Sequence, residues 1–367
     1  MCTVGHAFQQ GRMLFDPRTM FSSCCVMLCL VPLLGVVSGL RLCPSSCLCH
    51  ESDLVDCRTR GLHQVPKNVP HGSWLLDLSG NEVREVHTGS FVGLWSIKIL
   101  LMSNNSIHVL HPQCLSSLQF LERLDLSFNR LRWLPQDLTM GLSSLQVLQL
   151  DHNLLQHLDD SSLGDSDNLR KLDLSYNRIR TIDVRAFTSL SRLRLLNLQG
   201  NGLNVLREGL LSRQQSLEVL LLGHNNLSEI QTKALVPLRS LNLLDLQGNQ
   251  LEHIKFKTFL KMKTTSTHLQ MSLNPWTCDC DLQRVFGKIQ HVRHLHVEDY
   301  EDIVCHAPPQ QAGSALVSMD SQLCMAETAS VLIITITVLL AVVGALVKAE
   351  RNRKNKQAAS DAEVQDK

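Results

Sequence analysis

The sequence predicts an α/β-type repeat solenoid, a curved stack of coils whose short strands form one parallel concave sheet. Three observations predict it: a 24-residue period in leucine and asparagine, a cysteine cluster at each end of the periodic region, and an uncharged apolar run near the C terminus. Leucine is expected to fill the core, because aromatic residues supply only 4% of a chain that is 44% hydrophobic.

The period is most visible in a series of asparagines. They recur every 24 residues, with a last interval of 25: Asn81, Asn105, Asn129, Asn153, Asn177, Asn201, Asn225, Asn249 and Asn274. Around each runs the pattern L-x-x-L-x-L-x-x-N-x-L, the signature of a leucine-rich-repeat horseshoe. Alternating leucines such as Leu172 and Leu174 predict short strands that stack in parallel at ~4.8 Å. The asparagines are predicted to be buried and to pair backbone groups of their own and neighbouring coils.

A cysteine cluster lies at each end of the repeats, where a terminal coil would otherwise expose its leucine core. The clusters spell C-x3-C-x-C-x7-C from Cys43 and C-x-C-x24-C-x18-C from Cys278. Disulfides are the expected chemistry in an oxidising compartment, and zinc binding is the alternative. Spacing alone does not choose the pairing.

Together with the repeats, the two clusters resemble the amino- and carboxy-terminal cysteine caps of extracellular leucine-rich-repeat proteins, over roughly residues 43–324. The resemblance implies four disulfides: Cys43–Cys49, Cys47–Cys57, Cys278–Cys305 and Cys280–Cys324. Cys114 is left over. It is interpreted as a small buried hydrophobe, and an intermolecular disulfide in a homodimer is the alternative.

Two further apolar runs predict a route through the secretory pathway. The first, Phe21–Val37, follows Arg18 and precedes small residues, which is the pattern of a signal peptide cleaved before Leu40. An N-terminal membrane anchor is the alternative, and Met13 and Met20 are alternative translation starts.

The second run, Thr328–Val347, has 20 uncharged residues, enough to span a hydrocarbon core of ~30 Å. Positive residues follow it against a single Glu350, and they place the tail in the cytoplasm. They are Lys348, Arg351, Arg353, Lys354 and Lys356. The expected location is the plasma membrane, with the solenoid outside the cell.

These observations predict six segments. They are a signal peptide (1–39), an amino-terminal cysteine cap (40–72), eight repeats (73–264), a final repeat strand with the carboxy-terminal cap (265–324), a transmembrane helix (328–347) and a cytoplasmic tail (348–367).

No pattern of a catalytic site is present. The sequence has no glycine-rich phosphate loop, no H-E-x-x-H and no nucleophile elbow. Its 16 histidines recur at solvent-facing positions and not at the spacings of metal ligands. We therefore predict no enzymatic activity, no cofactor and no metal. With 35 basic and 34 acidic residues, the chain has no overall field that would attract nucleic acid.

The repeats instead offer a binding surface. Position eight of the motif places Phe128, His152 and Tyr176 in successive coils, where they are predicted to form three adjacent rings on the concave sheet. The candidate partner-binding residues are Arg123, Phe128, His152, Lys171, Tyr176 and His224. As an alternative, the charged residues of this face pair with one another, as on any solvated surface; they include Asp125, Asp173 and Arg194.

Two Asn-x-Ser acceptors, Asn104 and Asn226, flank buried asparagines and are predicted to be exposed and glycosylated. A glycan on Asn104 would cover the amino-terminal edge of the concave surface.

The membrane end narrows the expected function. Only Met325–Glu327 separate the last cap cysteine from the apolar run, and the tail contains no tyrosine. This architecture is similar to the γ auxiliary subunits of large-conductance potassium channels, although eight full repeats exceed that group's pattern. It also resembles small neuronal leucine-rich-repeat transmembrane proteins. The resemblances imply a cell-surface adhesion protein that binds a protein ligand or, alternatively, an auxiliary subunit of a multi-span channel or receptor. A decoy or co-receptor is a third reading.

Overall fold

A twelve-stranded sheet runs the length of the solenoid. The structure, a computed structural model, describes residues 43–319 and 321–365, so the predicted signal peptide lies outside the described residues. All neighbouring strands of the sheet are parallel except the first two, which form an antiparallel hairpin in the amino-terminal cap. The strands are Leu48–Cys49, Leu54–Asp56, Leu75–Asp77, Ile99–Leu101, Arg123–Asp125, Val147–Gln149, Lys171–Asp173, Leu195–Asn197, Val219–Leu221, Leu243–Asp245, Thr267–Gln270 and Leu295–Val297.

The register of this sheet follows the sequence period. Leu124 lies opposite Leu148, and Leu148 lies opposite Leu172, so residues 24 apart are direct neighbours. The central leucine of each repeat strand is buried, and the residues on either side of it line the concave face. The predicted leucine-rich-repeat horseshoe is confirmed.

Shorter strands pair on the outer side of four coil pairs. They are Glu85–Val86 with Val109–Leu110, His157–Leu158 with Thr181–Ile182, Val205–Leu206 with Glu229–Ile230, and Trp276–Thr277 with Cys305–Ala307. In the last full coil the short helix Lys257–Leu260 occupies the corresponding part of the chain, where the spacing lengthens to 25 residues.

The asparagines form the predicted hydrogen-bond ladder between coils. In Asn153, the side-chain amide donates to the carbonyls of Leu126 (2.9 Å) and Leu150 (3.1 Å), and its oxygen accepts from the amide of Leu131 (3.0 Å). Leu126 and Leu131 belong to the preceding coil. The same pattern recurs along the repeats, so each asparagine satisfies backbone groups where the chain turns away from the sheet.

Disulfides close both caps. The four bonds are Cys43–Cys49, Cys47–Cys57, Cys278–Cys305 and Cys280–Cys324, the pairs that the resemblance implies. Cys114 is a free cysteine with only 3% of its surface exposed. Burial raises the pKa of its thiol to about 12, which keeps the sulfur protonated and favours the interpretation as a buried hydrophobe.

The carboxy-terminal cap is built on the helix Cys280–Gln290. Asp279 caps its start by accepting a hydrogen bond from the amide of Leu282 (2.7 Å). Leu282, Phe286 and Ile289 form its buried face, with the ring of Phe286 edge-on to Trp276. Two 3₁₀ helices, Tyr300–Asp302 and Leu316–Ser318, complete the cap.

One long helix, Ser321–Gln365, follows the cap. Its segment Ser330–Asn355 has a mean hydropathy of 2.8 and is long and apolar enough to cross a membrane. The predicted span, 328–347, lies within the helix, but the helix does not end there and continues through the positive residues of the tail. It also begins before Cys324, so it is continuous with the cap.

Candidate protein-binding surface

Position eight of each repeat lies in the turn after the strand, not on the concave sheet where the sequence interpretation placed it. The strands end at position five, and Phe128, His152 and Tyr176 adopt left-handed backbone angles, with φ of 53°, 54° and 52°. There the Phe128 amide donates to the carbonyl of Asp151 in the next coil, at 3.0 Å. The rings therefore stand along the edge of the sheet. Glycine at positions 80, 200 and 248 was the sequence signal for this conformation.

The three rings stack as predicted. The centroids of Phe128 and His152 are 4.1 Å apart with an interplanar angle of 11°, and those of His152 and Tyr176 are 4.8 Å apart at 25°. Phe128 and Tyr176 are 52% and 48% exposed. Asp151 orients the imidazole between them, because its carboxylate lies 3.0 Å from Nδ1 of His152. We call Phe128, His152 and Tyr176 the aromatic row.

The row has defined ends. On one side the Tyr176 ring packs over the backbone of Gly200, and on the other Asn104 occupies position eight of the preceding coil. His224 stands beyond Gly200, two coils from Tyr176, with its own ring over Gly248. The structure therefore brings three of the predicted position-eight residues together and leaves His224 apart from them.

The charged residues near the row do not form the cross-strand pairs considered in the sequence analysis. Arg123 donates to the side-chain oxygen of Gln149 at 2.7 Å. Asp125 and Asp173 each accept from the hydroxyl and the amide of the serine two residues later, at 2.6 to 3.1 Å. These aspartates hold the turn that carries the rings. Arg194 pairs instead with Glu218, at 3.4 Å.

An apolar patch on the concave face was missed by the sequence interpretation. Leu195, Val219 and Leu243 are direct neighbours in three successive strands, and Leu221 lies beside them. All four are half-buried, whereas the equivalent positions in earlier coils include Arg123 and Lys171. Aliphatic residues at motif positions three and five were the available signal. We call these four residues the concave apolar patch.

Two carboxyl groups close the sheet beyond this patch. Asp299 accepts hydrogen bonds from the amides of Met271 (2.8 Å) and Ser272 (2.6 Å) and from the side chain of Gln247 (3.2 Å). Burial alone would raise the pKa of Asp299, but these donors hold it below its usual value. Asp245, also buried, has a raised pKa because burial outweighs the hydrogen bond from the Gln247 amide and the attraction of His224.

Histidines and carboxylates come together in two groups on the outer side of the coils. Glu85, His87 and His111 form one, and His157, Asp159 and Asp183 form the other; in each, the potential ligand atoms lie within 4.8 Å of one another. Spacing along the chain predicts no metal site, and that interpretation is inadequate because residues 24 apart are neighbours in this fold. Both groups could hold a metal ion.

The two predicted glycosylation acceptors are accessible. The side chains of Asn104 and Asn226 are exposed, while the adjacent Asn105 and Asn225 are buried in the ladder. Their glycosylation stays a prediction.

Comparison with protein families matches the repeats. A model of the leucine-rich-repeat family matches residues 75–131, 143–203 and 191–251. Leucine-rich repeat-containing protein 3 of Rattus norvegicus is 37% identical over 79 residues, 21% of this chain and 31% of that protein. Decorin of Coturnix japonica is 38% identical over 68 residues, 18% of this chain and 19% of decorin. The matches thus span about a third or less of these relatives.

Solved structures with the same fold cover more of the chain. A chain in the octameric complex of latrophilin 3, Unc5D and FLRT2 has a TM-score of 0.55 at 24% identity, covering 76% of this chain and 98% of its own length. Human 5T4, or trophoblast glycoprotein, has a TM-score of 0.58 at 21% identity, covering 77% and 98%. At these identities the likeness shows the fold.

Proposed function

We propose that this leucine-rich-repeat protein is a single-pass, type I cell-surface protein that binds a protein ligand through its solenoid and catalyses no reaction. The aromatic row is the observation that carries the proposal. Exposed aromatic rings on a rigid scaffold lose little conformational entropy on binding, and such rings commonly anchor protein interfaces.

The surroundings of the row support a protein as the ligand. Next to the rings, Arg123 and Lys171 offer hydrogen-bond donors on the concave face, and the concave apolar patch continues the surface toward the carboxy-terminal cap. A core of apolar side chains beside polar groups is the usual composition of a protein interface. In the FLRT2 complex, a chain with this fold is assembled with Unc5D and latrophilin 3.

The membrane topology is part of the proposal. Disulfide-closed caps fit an oxidising, extracellular environment, and the apolar segment Ser330–Asn355 fits a transmembrane helix. The positive residues after position 347 would then lie in the cytoplasm.

The test uses the full-length protein displayed on cells and probed with a collection of soluble ectodomains. Phe128→Ala with Tyr176→Ala should abolish capture of the ligand, because it removes both exposed ends of the row. The matched control is Phe120→Ala with Trp133→Ala, which removes exposed rings from other positions of the coils. Surface labelling with an antibody to a terminal tag checks folding and export. Unchanged capture by the row variant would refute the proposal.

A second candidate is an auxiliary subunit that associates laterally with a multi-span channel or receptor. One observation favours it: the long helix begins before Cys324, and the Cys280–Cys324 disulfide ties its first turn to the cap, so no flexible stalk lifts the solenoid from a membrane. Replacing residues 330–347 by an unrelated apolar helix should abolish co-purification of such a partner from mild detergent. A ligand of the aromatic row should be retained by the same variant.

A further inference from the structure

The outer side of the second and third asparagine-bearing coils carries two imidazoles directed at one carboxylate. Glu85 and His87 lie on one coil, and His111 lies on the next, 24 residues after His87. The Oε2 atom of Glu85 is 3.4 Å from Nε2 of His111 and 3.8 Å from Nε2 of His87. The two imidazole rings are stacked with their centroids 4.6 Å apart.

We propose that Glu85, His87 and His111 form a Zn²⁺ site that bridges two neighbouring coils of the solenoid. The inference is independent of the proposed function, since these residues lie outside both the aromatic row and the concave apolar patch. Imidazole nitrogens and a carboxylate oxygen are characteristic zinc ligands, and three of them leave a fourth position for water.

The distances fit a tetrahedral ion. With zinc–ligand bonds of about 2.0–2.2 Å, two ligand atoms of a tetrahedral site are separated by roughly 3.4 Å. The observed separations of 3.4 and 3.8 Å lie at or slightly above that value. They are longer than a well-formed hydrogen bond, whose usual length is about 2.9 Å. Direct hydrogen bonding therefore accounts poorly for this arrangement, whereas one cation between the three atoms would contact all of them.

The backbone fixes the three ligands. Glu85 lies opposite Val109 in a short parallel strand pair, and the amide of His111 donates to the carbonyl of Val86 at 3.0 Å. A neighbouring histidine, His108, has its Nε2 atom 3.9 Å from the other oxygen of Glu85. That imidazole would orient the carboxylate from outside the ligand set, as residues around zinc ligands commonly do.

The second group differs in a way that makes it less suited to zinc. Nε2 of His157 is already 2.9 Å from Asp159, and its Nδ1 atom is 2.7 Å from the hydroxyl of Thr181. Both ring nitrogens thus have close partners without an ion. In the Glu85 group, the shortest contact between the proposed ligand atoms is 3.4 Å.

The test measures Zn²⁺ binding to the full-length protein in detergent after metal removal, by competition with a fluorescent chelator. His87→Gln and His111→Gln should each weaken the tightest site by roughly tenfold or more, because each removes one of three ligands. The matched control is His63→Gln. His63 also faces a carboxylate, with Nδ1 3.5 Å from Glu82, but it is outside the group. Circular dichroism in the presence of a chelator checks that all variants are folded.

A second readout locates the ion on the chain. Bound Zn²⁺ should protect His87 and His111, but not His63, from modification by diethyl pyrocarbonate, as read by peptide mass spectrometry. The proposal is overturned if folded His87→Gln and His111→Gln proteins retain wild-type zinc affinity, or if zinc protects neither histidine. Binding of Ca²⁺ with equal affinity would also contradict it, since imidazole ligands favour transition metals.

Discussion

The phenol ring of Tyr176 lies directly over Gly200: a Cβ atom at Gly200 would be 2.6 Å from Cδ1 of that ring. The glycine is also at φ +67°, a left-handed angle at which a side chain is strained. The last ring of the aromatic row is thus seated on a residue that has no side chain.

Replacing this glycine should therefore disturb the binding surface from below. Gly200→Ala is expected to displace the Tyr176 ring and to weaken ligand capture by cells bearing the full-length protein, with a loss of stability of about 1–2 kcal/mol. Gly61→Ala is the matched control, because Gly61 has φ +65° but nothing within 4 Å of an added Cβ. If both variants capture ligand equally well, the position of Tyr176 does not matter for binding.

The asparagine ladder should dominate the stability of the coils. Asn153→Ala removes three hydrogen bonds and leaves buried backbone groups of Leu126, Leu131 and Leu150 without that partner. The expected cost is about 2–4 kcal/mol, measured by thermal unfolding followed by circular dichroism. Asn204→Ala, at an exposed position of the coil, should change stability by less than about 0.5 kcal/mol. Equal effects would mean that the ladder is not a special stabilising feature.

The buried carboxyl of Asp245 should make stability depend on pH. Its pKa in the folded protein is raised, chiefly by burial, so its ionisation opposes folding: the associated stability is present at low pH and is lost as pH rises through the folded pKa. Asp245→Asn imitates the protonated form and should raise the melting temperature at pH 7. The gain should shrink as pH falls toward the ordinary value of 3.8. A gain that is independent of pH would rule out ionisation as its cause.

Glycans are expected on both exposed acceptors. Digestion with an amidase that removes N-linked glycans should increase the gel mobility of the protein, and the shift should diminish in Ser106→Ala and in Ser228→Ala, which destroy the acceptors at Asn104 and Asn226 while keeping both asparagines. Because Asn104 is one coil from Phe128, Ser106→Ala should also make the aromatic row more accessible. Unaltered mobility of the wild-type protein would exclude both sites.

The sequence period was enough to predict the sheet, the buried asparagines and the stacking of Phe128 on His152. A strict repeat converts sequence separation into spatial adjacency, and residues 24 apart lie in neighbouring strands. The same conversion was not applied to His87 and His111, which were judged by their spacing along the chain. Their closeness to Glu85 follows from the period as directly as the ring stacking does.

Other features depend on the local backbone, which the repeat pattern describes less well. Position eight was placed on the concave sheet because it follows a strand, yet its left-handed angle turns the rings to the sheet edge. The role of Asp299 was not predicted either. Its carboxylate replaces the carbonyls that a further coil would offer to Met271 and Ser272, and that contact joins residues 28 and 27 apart, off the repeat period.

The Cys280–Cys324 disulfide has a mechanical consequence. If the long helix is anchored in a membrane and the solenoid is pulled by a bound partner, tension enters the ectodomain at Cys324 and passes through the sulfur–sulfur bond to the start of the cap helix at Cys280. The two cysteines are 44 residues apart in sequence, and that length of chain cannot be drawn out while the bond is intact. The load bypasses it and reaches the repeats next to Trp276, whose indole is fully buried. A pull on the ectodomain would therefore reach the membrane without lengthening the cap.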